Sequence, residues 1–155
     1  GFQECQDVQR VLAYGGLQGL YQGITGGHGI CMAYRGSNWD LISKGEAAVA
    51  EDSKLQYYGK RNAQWMRLRH KATGKIVFFV NHHGPLPVSS GGLCGGVSTA
   101  HNLLTLISRN GQHGDAVILL GDFNAGDNSV TLRRLQGQLK RGYSSGYLGG
   151  IDNVF

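Results

Sequence analysis

The segment Ala116–Leu120 constrains the fold of this chain more than any other part of the sequence. Its five residues, Ala-Val-Ile-Leu-Leu, are all apolar and are followed at once by Gly121 and Asp122. A run this short and this apolar is typical of a strand that is buried between layers of structure on both faces. We therefore expect a layered α/β protein rather than a helical bundle.

The other patterns place helices and strands in alternation along the chain. Helices are predicted over residues 6–21, 98–109 and 129–139, the second with Ser98 as its N-cap. Strands are predicted over residues 29–35, 39–43, 64–69, 76–80, 116–120 and 151–155. Gly74 is predicted to turn the third and fourth strands into a hairpin. We expect a mixed sheet covered by helices, in a single domain over residues 1–155.

Charge and cysteine content limit the classes of partner. The net charge of +5 favours polyanions such as nucleic acid, nucleotides or anionic lipid head groups, although a basic protein without such a partner fits equally well. Cys5, Cys31 and Cys94 form no C-x-x-C pair, which argues against a structural zinc site and permits at most one internal disulfide. No apolar stretch approaches the roughly 20 residues that a membrane-spanning helix needs.

Asp122 and Asn124 are the strongest candidates for chemistry. They follow the predicted buried strand at its carboxyl end, where α/β sheets collect their ligand sites. Alternation along the backbone would put both side chains on one face and Phe123 on the other. A carboxylate and an amide at this spacing could hold a hard cation and a phosphate oxygen. Asp and Asn after Gly are also ordinary turn residues, and composition alone favours that simpler interpretation.

Four motifs, in order, resemble those of the endonuclease/exonuclease/phosphatase superfamily. Residues 121–124 (GDFN) after an apolar strand resemble the hallmark of that family, and residues 2–4 (FQE) resemble its LQE segment. Residues 80–83 (VNHH) resemble its VNTH segment, and residues 150–155 (GIDNVF) resemble its RIDYIF segment. Residues 61–80 also resemble the strand-turn-strand that leads to the family's catalytic histidine. The resemblance covers Gly1 to Phe155, and the order of the motifs makes it specific.

The resemblance implies a four-layer α/β sandwich, in which two packed mixed β-sheets are flanked by helices and all four motifs meet at one end. Glu4 would bind Mg²⁺ or Mn²⁺, and Asp122 would orient or deprotonate the attacking water while also contacting the metal. Asn124 would donate a hydrogen bond to a phosphate oxygen. His83 would stabilise charge on the phosphate or help to protonate the leaving group, and Asp152 would hold a second histidine. The implied reaction is in-line attack of water on phosphorus without a covalent enzyme intermediate.

Three of these residues have simpler interpretations. Glu4 could merely favour the start of the helix that follows it. His83 could be a solvated loop histidine, and Asp152 an acid at the end of a strand. The occurrence of the motifs together and in order favours the functional interpretation.

Three departures from the family pattern affect what we expect. An asparagine of the family's first strand would precede Gly1, and the histidine of its SDH motif would follow Phe155. We therefore expect a domain that lacks its first and last strands and is inactive, or nearly so, as these 155 residues alone. Residues 84–96 differ from the family's usual LDH continuation and are predicted to form an insertion at the border of the active site.

The leading hypothesis is a divalent-metal-dependent phosphodiester hydrolase, and the basic charge makes a nuclease the first choice. Its partner would then be nucleic acid or another phosphodiester. The alternatives with the same fold are a phosphatase or a phospholipase C-like hydrolase. A non-catalytic structural or interaction subunit of a larger assembly is a further alternative. The retention of residue types competent for catalysis at all five positions favours an enzyme.

Overall fold

The computed structural model describes residues 1–155 and contains three α-helices, two short 3₁₀ helices (Lys54–Gln56 and Tyr147–Gly149) and eight strands. Their order along the chain is α1 (Val8–Tyr14), β1 (Tyr21–Thr25), β2 (Cys31–Arg35), β3 (Trp39–Glu51), β4 (Lys60–His70), β5 (Ile76–His83), α2 (Gly95–Asn110), β6 (Ala116–Asp122), α3 (Val130–Gln136), β7 (Tyr143–Ser144) and β8 (Asp152–Val154). None of the helices is both long enough and apolar enough to cross a membrane.

The strands form two sheets of unequal size. The larger has six strands in the order β3-β4-β5-β6-β8-β7, and the smaller is the antiparallel pair β1-β2. Within the larger sheet β5 and β6 are parallel, and every other pair of neighbours is antiparallel. Helix α2 connects the two parallel strands, as parallel pairing requires a crossover. The sheet is therefore mixed, as predicted.

The elements stack in four layers, with α1 on the small sheet and with α2 and α3 on the outer face of the large sheet. Three buried apolar clusters fill the three spaces between these layers. Their principal members, from the α1 side to the α2 side, are Val8 and Leu12, then Met32 and Met66, then Phe78, Leu103, Leu119 and Leu132. This arrangement confirms the predicted four-layer α/β sandwich.

The first predicted helix, residues 6–21, is wrong in its second half. Asp7 caps α1 by accepting hydrogen bonds from the backbone N–H groups of Gln9 and Arg10, and the helix ends at Tyr14. Gly16 then takes a positive φ of 66°, which turns the chain away from the helix axis. Residues 21–25 form strand β1, which the sequence patterns did not predict.

The later elements that were predicted are present, but several boundaries differ, and the two-residue strand β7 lies in a segment predicted as loop. Helix α2 begins at Gly95, so the prediction of Ser98 as its N-cap is wrong. Helix α3 does begin after its cap at Ser129, although it ends at residue 136 rather than 139. The hairpin between β4 and β5 is confirmed, with a φ of 69° at Gly74. Strand β6 extends to Asp122, which therefore belongs to the strand and not to the turn after it.

Candidate active site

The carboxyl ends of the parallel strands β5 and β6 bring His83 and Asp122 together. Each is the last residue of its strand, and the two are paired directly across the ladder. Nε2 of His83 lies 3.8 Å from Oδ2 of Asp122. Strand β8 runs antiparallel to β6 and places Asp152 opposite Asp122. Three of the predicted residues thus form a row across three adjacent strands.

Two glycines allow the backbone at this end of the sheet to pack closely. A Cβ atom on Gly121, whose φ is 147°, would lie 1.8 Å from the carbonyl oxygen of His82. A Cβ atom on Gly84 would lie 1.7 Å from the carbonyl oxygen of Phe123. No side chain fits at either distance, so the positions of His83 and Asp122 depend on glycine at both places.

The backbone of Asn124 is no longer extended, but its side chain still lies beside His83 and Asp122. Its φ is 46°, a left-handed conformation that asparagine tolerates better than most residues. The backbone N–H of Asn124 donates to Oδ1 of Asp122 at 2.8 Å, and Nδ2 donates to the carbonyl oxygen of Gly84 at 3.0 Å. An amide nitrogen carries two N–H donors, so the second one is available to a ligand.

Glu4 approaches from an irregular segment that precedes α1. The N–H of Cys5 donates to the carbonyl oxygen of Gly29, and a disulfide joins Cys5 to Cys31 in β2. Glu4 has a positive φ of 52°, and its exposed carboxylate accepts no hydrogen bond from the protein. The cap of α1 is Asp7, so Glu4 lies outside the first helical turn. The simpler interpretation of Glu4 as a helix-start acid is therefore wrong.

Four of the five predicted residues line one open pocket of about 560 Å³, and they are Glu4, His83, Asp122 and Asn124. The other lining residues are Gln6, His28, Gly29, Gln56, Tyr58, Arg61 and Leu86. Asp152 lies beside Asp122 but does not line the pocket. His83 is only 9% exposed and belongs to a strand, so it is not a solvated loop histidine.

Burial has opposite effects on the two central groups. It raises the pKa of Asp122 above the ordinary aspartate value, although the Asn124 N–H and His83 partly oppose this. Burial, followed by the nearby charge of Arg61, lowers the pKa of His83, although Asp122 and Glu4 partly oppose this. Asp122 is consequently a stronger base than an exposed aspartate. The ring of His83 is neutral at pH 7 and carries one N–H donor.

The carboxylates of the pocket fit a hard divalent cation, although they do not form a complete cage. No three His, Cys, Asp or Glu side chains lie close enough to hold a metal ion by themselves. Mg²⁺, however, keeps several water ligands and is commonly bound by one or two carboxylates together with a substrate phosphate. Glu4 has the oxygen chemistry, the exposure and the free lone pairs for that role.

Sequence reasoning missed Arg61 and its partner Asp52. Nε and Nη2 of Arg61 donate to the two carboxylate oxygens of Asp52 at 2.8 and 3.0 Å, and Arg61 lines the pocket. In the sequence, Lys60-Arg61 resembles any other small group of surface charges. Asp52 carries no motif, so the sequence has no signal that pairs the two residues.

The loop after β5 borders the pocket, as predicted for residues 84–96. Leu86 lines the pocket, and its carbonyl oxygen accepts a hydrogen bond from the N–H of Ser53. Further along the loop, the N–H of Ser89 donates to the carbonyl oxygen of Asn124. The N–H of Leu93 donates to the carbonyl oxygen of Glu51. The loop is therefore fixed to both sides of the site.

A scan against protein-family models finds no match, and a search of curated proteins finds no significant relative. Among solved structures 48 chains match significantly. An endonuclease/exonuclease/phosphatase family protein from Bacteroides thetaiotaomicron has a TM-score of 0.71 and 19% identity over 90% of this chain. A mannosyl-6-phosphatase from the same organism has a TM-score of 0.74 and 20% identity over 99% of this chain. TDP2 of D. rerio, complexed with a single-stranded DNA product, has a TM-score of 0.59 and 11% identity over 94% of this chain.

These likenesses define the fold. The layered sandwich with polar residues at one end of its sheets has the fold of endonuclease/exonuclease/phosphatase proteins, as the motifs indicated. The chain spans 60% of the length of the first of these structures, 68% of the second and 64% of the third.

Proposed function

We propose that the protein containing these residues is a divalent-metal-dependent phosphoester hydrolase that attacks phosphorus with water. The observation that carries this proposal is the pairing of His83 with Asp122 at 3.8 Å, in an open pocket that Glu4 and Asn124 also line. A carboxylate base, a neutral imidazole and an amide donor are the groups that such a reaction needs. The fold supports the proposal, since a solved neighbour is named as a phosphatase.

Asp122 is the residue that we assign to the attacking water. Its Oδ1 already accepts a hydrogen bond from the backbone of Asn124, which leaves Oδ2 free to accept a proton. Burial raises the pKa of this carboxyl group and so makes it a better proton acceptor near neutral pH. The hydrogen bond to Oδ1 also fixes the orientation of the carboxylate toward the pocket.

His83 and Asn124 are assigned to the phosphate. The neutral imidazole of His83 offers one N–H, and the amide of Asn124 offers the N–H that Gly84 does not use. Fixed donors of this kind stabilise charge that develops on phosphate oxygens during attack. His83 can also give its proton to the departing oxygen.

Glu4 is the residue that we assign to Mg²⁺ or Mn²⁺. Glu4 and Asp122 bring negative charge into the pocket, whereas Arg61 is its only Lys or Arg side chain. An anionic phosphate would be repelled without further positive charge, and a bound divalent cation supplies that charge.

The substrate that we favour is a phosphodiester in nucleic acid, because the net charge is +5 and one structural neighbour is complexed with a DNA product. A phosphomonoester is the second candidate, because another neighbour is named as a mannosyl-6-phosphatase. Affinity for nucleic acid should fall steeply with added salt, whereas affinity for a small phosphomonoester should not.

The test uses the natural full-length protein with plasmid DNA, RNA, bis(p-nitrophenyl) phosphate and p-nitrophenyl phosphate, with Mg²⁺, Mn²⁺ or a chelator. We expect metal-dependent turnover, and a loss of about 10²- to 10⁴-fold in Asp122→Ala. The control is Asp40→Ala, since Asp40 is an exposed carboxylate outside the pocket. Absence of turnover on every substrate by the folded protein would favour the non-catalytic subunit instead.

A further inference from the structure

Strand β4 carries two arginine–aspartate pairs of the same geometry. Arg61 donates from Nε and Nη2 to Asp52 at 2.8 and 3.0 Å, and Arg67 donates from the same two atoms to Asp115 at 2.8 and 2.9 Å. The side chains of both arginines are almost equally buried, with 11% and 9% exposure. The pairs differ in their surroundings, because Arg61 lines the pocket with His83 and Arg67 does not.

The contact with Asp52 leaves most of the Arg61 guanidinium free. A guanidinium has five N–H donors, and Asp52 uses one from Nε and one from Nη2. The two on Nη1 and the second on Nη2 have no acceptor in the protein. These three donors are available to an anion in the pocket, and paired N–H groups of arginine match phosphate oxygens well.

Asp52 fixes more than the arginine. It is fully buried, and its carboxylate also accepts hydrogen bonds from the backbone N–H of Tyr58 at 2.9 Å and of Leu86 at 2.7 Å. Tyr58, Arg61 and Leu86 all line the pocket, so one buried carboxylate holds three parts of its wall. Burial would raise the pKa of Asp52, but the hydrogen bonds from Arg61, Leu86 and Tyr58 outweigh that effect and hold it below the ordinary value. Asp52 therefore stays charged and keeps its partners in place.

We infer that Arg61 binds an oxygen of the substrate phosphate and that Asp52 is the positioning residue that holds its guanidinium ready. The inference rests on the proposed function, because it assigns a substrate contact within the same site. It also gives the phosphate a permanent cation that is already in position. A side chain whose rotamer is fixed before binding loses less entropy when the ligand arrives.

The first measurement is the affinity of the full-length protein for inorganic phosphate, by titration calorimetry at fixed Mg²⁺. We expect Arg61→Ala to weaken phosphate binding by about 10- to 100-fold, because a hydrogen bond from a charged donor is lost. Arg61→Lys keeps the charge but not the paired donors and should show a smaller loss. Asp52→Asn should weaken binding by roughly tenfold, as is typical for groups that orient a ligand-binding residue. In steady-state assays, Arg61→Ala should raise KM more than it lowers kcat.

The Arg67–Asp115 pair supplies matched controls. Arg67→Ala and Asp115→Asn remove a pair of the same geometry from the same strand, so they should lower thermal stability to a similar degree. They should leave phosphate affinity within about twofold, since Arg67 lies outside the pocket. Equal loss of phosphate affinity in the Arg61 and Arg67 variants would overturn the inference, because stability alone would then explain it.

A double-mutant cycle separates positioning from a general structural role. In the Arg61→Ala background, Asp52→Asn should cause a clearly smaller loss of phosphate affinity than in the wild type, because its contribution through Arg61 is already gone and only its contacts with Tyr58 and Leu86 remain. Additive losses would show that Asp52 does not position Arg61. If the protein hydrolyses phosphoesters but Arg61→Ala and Arg61→Lys bind phosphate as the wild type does, the inference fails and the proposed function stands. If Arg61 governs phosphate binding but no phosphoester is hydrolysed, the proposed function fails and the phosphate contact stands.

Discussion

The Cys5–Cys31 disulfide joins residues 26 positions apart and lies next to Glu4 in the chain. It connects the irregular segment before α1 to strand β2, and both of its cysteines are buried. Reduction of this bond removes no apolar atoms from the folded core, but it lets the unfolded chain adopt more conformations. We therefore expect the main effect of reduction on stability to come from the entropy of the unfolded state.

The size of the effect follows from the length of the closed loop. For a separation of 26 residues, the chain-entropy relation gives a stabilisation of about 3.5 kcal/mol at 25 °C. In a protein of this size a loss of that magnitude lowers the midpoint of thermal unfolding by roughly 7 to 14 °C. This is a large share of the 5 to 15 kcal/mol that is typical of folded proteins.

The assay is urea unfolding of the oxidised and reduced protein, with Cys5→Ala/Cys31→Ala measured beside them. Cys94→Ala is the matched control, because Cys94 is a free and exposed cysteine. We expect the control to unfold as the wild type does in both redox states. The double variant should unfold at lower urea and should no longer respond to reductant.

The reasoning would be refuted by free energies of unfolding that differ by less than about 1 kcal/mol between oxidised and reduced protein. Such a result would mean that the unfolded chain is not restrained by the bond. A response to reductant that persists in the double variant would point to Cys94 instead.

Three further predictions concern the backbone, pH and the metal. Gly121→Ala should destabilise the protein by about 3 kcal/mol or more in urea unfolding, because Cβ would lie 1.8 Å from a carbonyl oxygen; Gly137→Ala, with room for Cβ, should not. His82 is fully buried with its pKa lowered to about 4, so the unfolded state binds the extra proton and this group alone should lower stability by about 2 kcal/mol from pH 7 to pH 5; His82→Gln should lose this contribution, whereas those of His83 and Asp122 remain. Glu4→Gln should weaken Mn²⁺ binding in calorimetry by about tenfold or more, unlike Asp40→Asn.

The parts of the fold that the sequence predicted are those with a strong local signal. The apolar run before Asp122 marks a central strand of the large sheet, although only Leu119 in it is fully buried and the prediction of burial on both faces is wrong. Because β5 and β6 pair in parallel, the motifs at their carboxyl ends had to meet at one edge. His83 and Asp122 were therefore predictable as neighbours once the strand order was assumed.

The parts that were missed have weak or misleading local signals. Strand β3 was predicted over residues 39–43, but it extends to residue 51. The prediction stopped too early because an edge strand is half exposed, so its apolar and polar residues do not alternate cleanly. The first helix was predicted to run on to residue 21 because Leu17 and Leu20 have helical spacing with the residues before them, and residues 22–25 of strand β1 were not assigned. The Arg61–Asp52 pair depends on tertiary packing, so neither residue could be assigned to the site from its neighbours in sequence.

The strand order also divides the site into two parts of different mechanical character. His83 and Asp122 belong to the two middle strands of the six-stranded sheet, so their backbone opens only when the core itself unfolds. Glu4 lies in an irregular segment outside any helix or strand, between the Phe2–Cys31 bridge and the Cys5–Cys31 disulfide, so only the few residues between these anchors can open locally. Amide hydrogen exchange at residues 81–83 and 119–122 should therefore be much slower than at residues 3, 4 and 6, whose N–H groups donate to no acceptor in the protein. In the proposed site, the residue assigned to the cation would then move while the groups assigned to the phosphate keep their geometry.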